Sequence, residues 1–175
     1  GPDGIHPRVL RELRDNIAKL LTEIFKDSLR SETLSSNWKK GLITPIYKKG
    51  KKFIPGNYRL GSLTSICCKL MESTISDHII QFMKQNKSFS NKQYGFISGR
   101  STTYQLLVAL ERWIEALDSK MSVDAVYMDY EKEFDKVSHQ RLISKLERYE
   151  RPIIRWLESF LNRQQSVMVN GCESA

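Results

Sequence analysis

From about Arg8 to Leu29 the apolar residues Val9, Leu10, Leu13, Ile17, Leu20, Leu21, Ile24 and Phe25 recur at three- and four-residue spacings. This period predicts an amphipathic helix opened by Pro7. Ser35-Ser36-Asn37-Trp38 then turns the chain into a short apolar run, Gly41 to Tyr47, read as a strand. Pro45 cannot donate to a ladder and so predicts an edge position, and Lys48-Lys49-Gly50-Lys51-Lys52 forms the tip of the hairpin that follows. A second helix is expected over Leu63 to Phe82, where Ile66, Cys67, Leu70, Met71, Ile75 and Ile79 fall at helical spacing. A loop holding Gly95, Gly99 and Arg100 leads to a third helix, Thr102 to Leu117.

Beyond it, Val123 to Tyr130 is apolar in the middle and ends near Asp129, the pattern of a central strand. Ser138 is a candidate N-cap for a helix from His139 to Arg148, and Pro152 for the start of another reaching Leu161. Gln165 to Gly171 closes the chain as a strand running into a turn. Helices packed on a small, mostly antiparallel sheet make the expected class α+β.

Composition narrows the picture. An apolar fraction of 40% with 27% charged residues over 175 positions is that of a globular domain with a real core. No apolar run approaches the roughly 20 residues that span a bilayer, and the first residues are not a basic segment followed by an apolar one. An intracellular protein with no membrane partner is expected. Cys67, Cys68 and Cys172 have no Cys-x-x-Cys spacing, so they read as small apolar residues in a reducing compartment rather than as a disulfide or zinc framework.

Charge changes the picture further. The net charge is +8, and between Glu32 and Glu72 no acidic residue occurs, while Lys39, Lys40, Lys48, Lys49, Lys51, Lys52, Arg59 and Lys69 all fall there. A field of one sign draws polyanions and costs stability through self-repulsion, so nucleic acid or nucleotide phosphate is the leading partner. A solvated basic loop is the bland alternative.

Asp129 and Asp135 are the candidate metal-binding carboxylates. An aspartate fixed at a strand end suits Mg²⁺, a hard cation that takes oxygen ligands and leaves positions for substrate phosphates. Read by spacing alone, both aspartates are better explained as turn or cap residues, because Asp at a strand end is common in turns.

Tyr127-Met128-Asp129-Tyr130-Glu131-Lys132-Glu133-Phe134-Asp135-Lys136-Val137-Ser138-His139 resembles the first catalytic motif of reverse transcriptases from non-LTR (LINE-type) retrotransposons. Thr44-Pro45-Ile46-Tyr47-Lys48-Lys49-Gly50, Asn57-Tyr58-Arg59 with Ser62-Leu63, and Gln93-Tyr94-Gly95-Phe96 with Gly99-Arg100-Ser101 resemble further segments of that family, in its order. Gly1-Pro2-Asp3-Gly4-Ile5 is similar to its upstream segment.

The resemblance implies fingers and a partial palm of a right-hand polymerase, with residues 1–35 an N-terminal helical segment, 36–100 fingers and 101–175 the first half of the palm. It implies RNA-directed DNA synthesis with an RNA template, a DNA primer, deoxynucleoside triphosphates and two Mg²⁺ ions, in a life divided between nucleus and cytoplasm. Asp129 would be the metal ligand, with Asp135 beside it as a second catalytic candidate. Lys48, Lys49, Arg59, Tyr130 and Phe134 would bind nucleotide, Phe134 as the aromatic gate under the sugar. Gln93, Gly95, Phe96, Gly99, Arg100 and Ser101 would lie near template and primer.

The departures bear on activity. Glu133 stands where the family has a small residue, Ile97 where it has arginine, and Leu60-Gly61 where it has Pro-Ile. The x-Asp-Asp hairpin that completes the family's metal site would come beyond Ala175, so this chain is expected to be inactive alone. Against the enzyme reading stand a non-catalytic nucleic-acid-binding remnant and a product that does not fold stably. A nuclease built on Asp124 and Asp129 is weaker, because residues five apart on one strand point to opposite faces.

Overall fold

A computed structural model describes residues 1–130, 136–169 and 171–174. The chain divides into two compact units, Gly1–Asp77 with Val137–Ala175, and His78–Lys136.

In the first unit the helix expected between Arg8 and Leu29 forms as two, α1 (Pro7–Glu12) and α2 (Arg14–Arg30). His6 Nδ1 accepts the Arg8 amide at 3.2 Å and Pro7 fills the first turn, which fixes where α1 starts. Leu13 leaves the helical region at φ −96°, ψ 10°, yet its amide still reaches the Val9 carbonyl at 3.0 Å. The helix breaks there, and α2 restarts with Asp15 at its positive end.

The sheet has four strands, β1 (Lys40–Tyr47), β2 (Tyr58–Leu63), β3 (Gln164–Val169) and β4 (Cys172–Glu173), in the order β2-β1-β3-β4. It is mixed: β1–β2 and β3–β4 run antiparallel, β1–β3 parallel. The expectation that Pro45 marks an edge strand holds for only half of β1. Lys40–Ile43 is flanked on both sides, by β3 and in part by β2, whereas Thr44–Tyr47 pairs with β2 alone. The Lys48 amide bonds the Asn57 carbonyl at 2.9 Å, and antiparallel alternation then puts the Pro45–Leu60 pair among those that exchange no hydrogen bonds. The donor that proline lacks would have pointed away from β2, past the end of the β3 pairing.

Helices α3 (Ile66–Gln85), α5 (His139–Lys145) and α6 (Arg151–Leu161) complete the core. Ser138 Oγ caps α5 from the Arg141 amide at 3.4 Å. Trp156 of α6 is 1% exposed, and its Nε1 donates to Ser28 Oγ of α2 at 3.0 Å, which satisfies the one polar atom of the indole. Leu34, Ile43, Cys68, Met71, Ile75, Tyr149 and Ile153 are buried with it.

At the edge of this core the Arg163 guanidinium lies 3.5 Å over the Phe160 ring, and Phe160 stacks on Trp156 at 5.3 Å between centroids. Arg163 also pairs with Glu72 of α3, N to O 3.2 Å, at an angle that makes the contact an ion pair rather than a hydrogen bond. The same carboxylate accepts the Cys68 thiol at 3.3 Å. Burial, then the Glu72 hydrogen bond and charge, push the Cys68 thiol up to about 12.

The second unit holds the rest of α3, a loop and α4 (Thr102–Asp118). Lys87 ends α3 in the left-handed region at φ 51°, with Ser88 bonding back to Met83 at 2.9 Å. The strand expected over 123–130 is not formed. That segment has no regular secondary structure, and Val126 and Tyr127 are each 84% exposed. An extended segment becomes a strand only when a neighbour takes up its amides and carbonyls, and the four strands among the described residues pair with one another instead.

Candidate functional site

The residues singled out by sequence collect in three places. Lys48, Lys49 and Arg59 stand on the β1–β2 hairpin of the first unit, all exposed, together with Lys51 and Lys52. Gln93, Gly95, Phe96, Gly99, Arg100 and Ser101 share one loop of the second unit. Asp129 and Tyr130 lie in the exposed segment before residue 131, while Phe134 and Asp135 lie outside the described residues, as does Glu133.

The hairpin tip is held from within. Tyr47 Oη donates to the Gly50 carbonyl, Asn57 Nδ2 to the Lys51 carbonyl at 2.8 Å, and Tyr58 Oη to the Lys52 carbonyl at 2.7 Å. Pro55–Asn57 adds a 3₁₀ turn, and the Tyr47 and Tyr58 rings meet edge to face at 5.6 Å. Gly50 is required here: it sits at φ 91°, and a Cβ would come 2.6 Å from Asn57 Nδ2. Gly61, one of the departures from the family pattern, faces the Ile46 side chain, where a Cβ would approach to 3.1 Å.

Fixing the loop backbone this way leaves the ammonium groups as its outward chemistry. Among the described residues no ion pair involves Lys48, Lys49, Lys51, Lys52 or Arg59. Lys51 Nζ lies 5.8 Å from the Phe53 centroid and Lys52 Nζ 5.8 Å from that of Tyr47, so two of the cations sit over rings rather than carboxylates. Asn57 and Tyr58, read in the sequence only as a family segment, are what shape the tip. Phe53, directly after the lysine run, stands exposed at the same tip.

The second-unit loop is organised differently. Arg100 Nη1 donates to the Ser90 carbonyl at 2.7 Å and also to that of Gln93, and Gln93 Nε2 reaches the Gly95 carbonyl at 3.4 Å. Ser101 Oγ caps α4, accepting the amides of Thr103 and Tyr104 at 3.1 and 3.4 Å. Arg100, Gln93 and Ser101 thus shape the loop's own backbone. Phe96 takes φ 61° and is 89% exposed, and Gly99 takes φ 85°. The loop borders a cleft of about 520 Å³ whose lining includes Lys84, Lys87 and Arg100, two of which the sequence reading did not single out.

Asp129 is exposed and stands on no strand, which corrects the expectation of a carboxylate presented from a central sheet. Among the described residues no three His, Cys, Asp or Glu side chains gather closely enough to hold a metal ion. One carboxylate supplies at most two of the six oxygens a Mg²⁺ ion takes, so the described residues do not by themselves build a divalent-cation site. No helix among them is long and apolar enough to cross a membrane.

Comparison with known proteins agrees with the motif order. Residues 46–174 match the family model described as reverse transcriptase (RNA-dependent DNA polymerase). The chain is 31% identical over 163 residues to the "Probable RNA-directed DNA polymerase from transposon BS" of Drosophila melanogaster, a match covering 92% of this chain and 18% of that protein. It is 30% identical over 163 residues to the corresponding protein of transposon X-element, with the same coverage. Against the "RNA-directed DNA polymerase from mobile element jockey" of the same species it is 29% identical, over all of this chain and 19% of the relative. The chain thus spans about a fifth of the length of these relatives, and it belongs to the reverse transcriptase (RNA-dependent DNA polymerase) family.

Proposed function

We propose that this chain contributes the nucleic-acid- and nucleotide-binding fingers, and the start of the palm, to an RNA-directed DNA polymerase of a retrotransposon. Residues 36–100 are the fingers and 101–175 the palm portion in this reading. The observation that carries it is the β1–β2 hairpin: a family segment whose backbone is tied down by Tyr47, Asn57 and Tyr58 and whose lysines have no carboxylate partner among the described residues. Fixed cations without counter-charges are what a phosphate chain or triphosphate needs. Lys48, Lys49 and Arg59 bind phosphate, the 93–101 loop flanks template and primer, and Asp129 is the carboxylate assigned to the divalent cation. Such an ion would supply charge compensation at the phosphate.

Binding of a labelled RNA–DNA template-primer across a salt series tests the reading. Lys48, Lys49, Lys51 and Lys52 changed together to Ala should weaken binding at every sequence and reduce the salt slope by up to about four, near one for each lost phosphate contact. Unchanged affinity and slope would sink it.

A second reading, a binding module that catalyses nothing, is favoured by the exposure of Asp129 and by the absence, among the described residues, of any three His, Cys, Asp or Glu side chains close enough to hold a metal ion. Metal dependence of binding separates the two. Mg²⁺-dependent nucleotide binding that disappears in Asp129→Ala supports the polymerase segment, whereas salt-sensitive binding through the lysines that is indifferent to Mg²⁺ and to Asp129→Ala supports the module.

A further inference from the structure

We propose that Phe53 is a stacking platform for an unpaired base, which makes the hairpin tip a reader of single strands; the proposal rests on the nucleic-acid reading above and sharpens it. Phe53 is 79% exposed, well above the other aromatic residues of the hairpin. An isolated exposed apolar side chain needs no explanation by itself. This one has particular surroundings: it follows Lys51-Lys52 directly and lies in a stretch with no acidic residue from position 33 to 71. Lys51 Nζ stands 5.8 Å from its ring.

The ring is also carried on a constrained backbone. The carbonyls of Lys51 and Lys52, immediately before Phe53, accept the side chains of Asn57 and Tyr58, and the Ile54 amide just after it bonds the Lys51 carbonyl at 3.2 Å. With the backbone already fixed, stacking has only the ring's own side-chain torsions left to restrict. A basic track with an aromatic face set into it is the chemistry by which proteins hold single-stranded nucleic acid, since every base has a face and every nucleotide a charge. An apolar protein surface would satisfy the ring but leave the lysines uncompensated, whereas a single strand satisfies both. A duplex buries its base faces and would engage only the lysines.

Fluorescence anisotropy of labelled single-stranded RNA and DNA, and of the duplex of the same sequence, tests this on the whole chain. Phe53→Ala should weaken single-strand binding about tenfold or more while leaving duplex affinity and the salt slope unchanged. Phe53→Trp should retain or strengthen it, and Phe53→Leu should behave as Phe53→Ala, because an aliphatic side chain keeps the bulk and loses the π face. Wild-type affinity in Phe53→Leu, or equal losses for single strand and duplex, would overturn the proposal, as would self-association that Phe53→Ala abolishes. Wild-type binding that is indifferent to residue 53 removes this proposal alone. Failure of the wild-type chain to bind any nucleic acid removes the underlying reading with it.

Discussion

Asp3 Oδ2 accepts the amide of Ile66 at 2.8 Å, so a residue near the start of the chain caps a helix that begins more than sixty positions later. The first amides of a helix have no partner within it, and a carboxylate there also meets the positive end of the helix dipole. Partial burial works to raise the Asp3 pKa, but the hydrogen bonds from Ile66, the Ser65 hydroxyl and the Ile5 amide outweigh it and hold the carboxyl below its ordinary value. The Gly-Pro-Asp-Gly segment thus has a structural task in this chain.

Asp3→Ala should lower stability by about 1 kcal/mol, the usual value of a lost helix cap, read from denaturant unfolding. The sign with pH follows from the depressed pKa. The contribution is present above the ordinary value of 3.8 and is lost as pH falls through the lower folded value. The difference between wild type and Asp3→Ala should therefore be constant near neutrality and close at acid pH. A gap that persists below the folded pKa would contradict the assignment.

Trp156→Ala should be the most damaging single change in the first unit, at roughly 3–5 kcal/mol, because it opens a cavity under Phe160 and removes the donor to Ser28. Trp156→Phe keeps most of the volume and loses the indole donor, so its cost should be well below that of alanine. Tryptophan fluorescence is unsuited to this comparison, and circular dichroism melts should rank the two.

The thiols should react in the order of their surroundings. Cys172 is exposed and should be modified by a disulfide reagent in the folded state, whereas Cys68, buried and pushed up to about 12, should react only on unfolding. The raised value also predicts a loss of stability at alkaline pH: the contribution is complete below the ordinary 9.0 and declines as pH rises towards 12. Cys68→Ala should flatten that decline in a pH series of unfolding midpoints.

Glu72→Ala should leave Arg163 facing a half-buried site without its partner, costing about 2 kcal/mol. This is less than a fully buried pair, since the Arg163 and Glu72 side chains keep 13% and 27% of their exposure. Replacing both residues by Met should cost less than the single change. A double-mutant cycle with no coupling between them would show that the cluster contributes only packing.

Gly50→Ala should cost about 1–2 kcal/mol in hairpin stability, from the left-handed backbone and the clash with Asn57 together. Hydrogen exchange at the Lys48 amide, bonded across the hairpin to Asn57, is the local readout.

The residues that act locally were legible from the chain alone. Periodicity located α3 and α4, Pro152 marked the start of α6, Ser138 announced its cap, and the order of motifs identified the family, because each of these depends on neighbours a few positions apart. The lysine run was legible as a dense basic stretch for the same reason: charge density is a property of a short stretch.

Tertiary structure decided what depends on distant partners. Ladder neighbours made Gly41–Tyr47 a half-central strand, β1, and left 123–130 without a ladder partner among the described residues, although both read as strands. Asp3 became a cap and His6 another because of where the backbone brought unpaired amides. Phe53 became conspicuous only once side chains four and five residues further on had tied the loop around it. Sequence fixes what each residue can offer, while a hydrogen bond or a buried face exists only where folding supplies the second half of the contact.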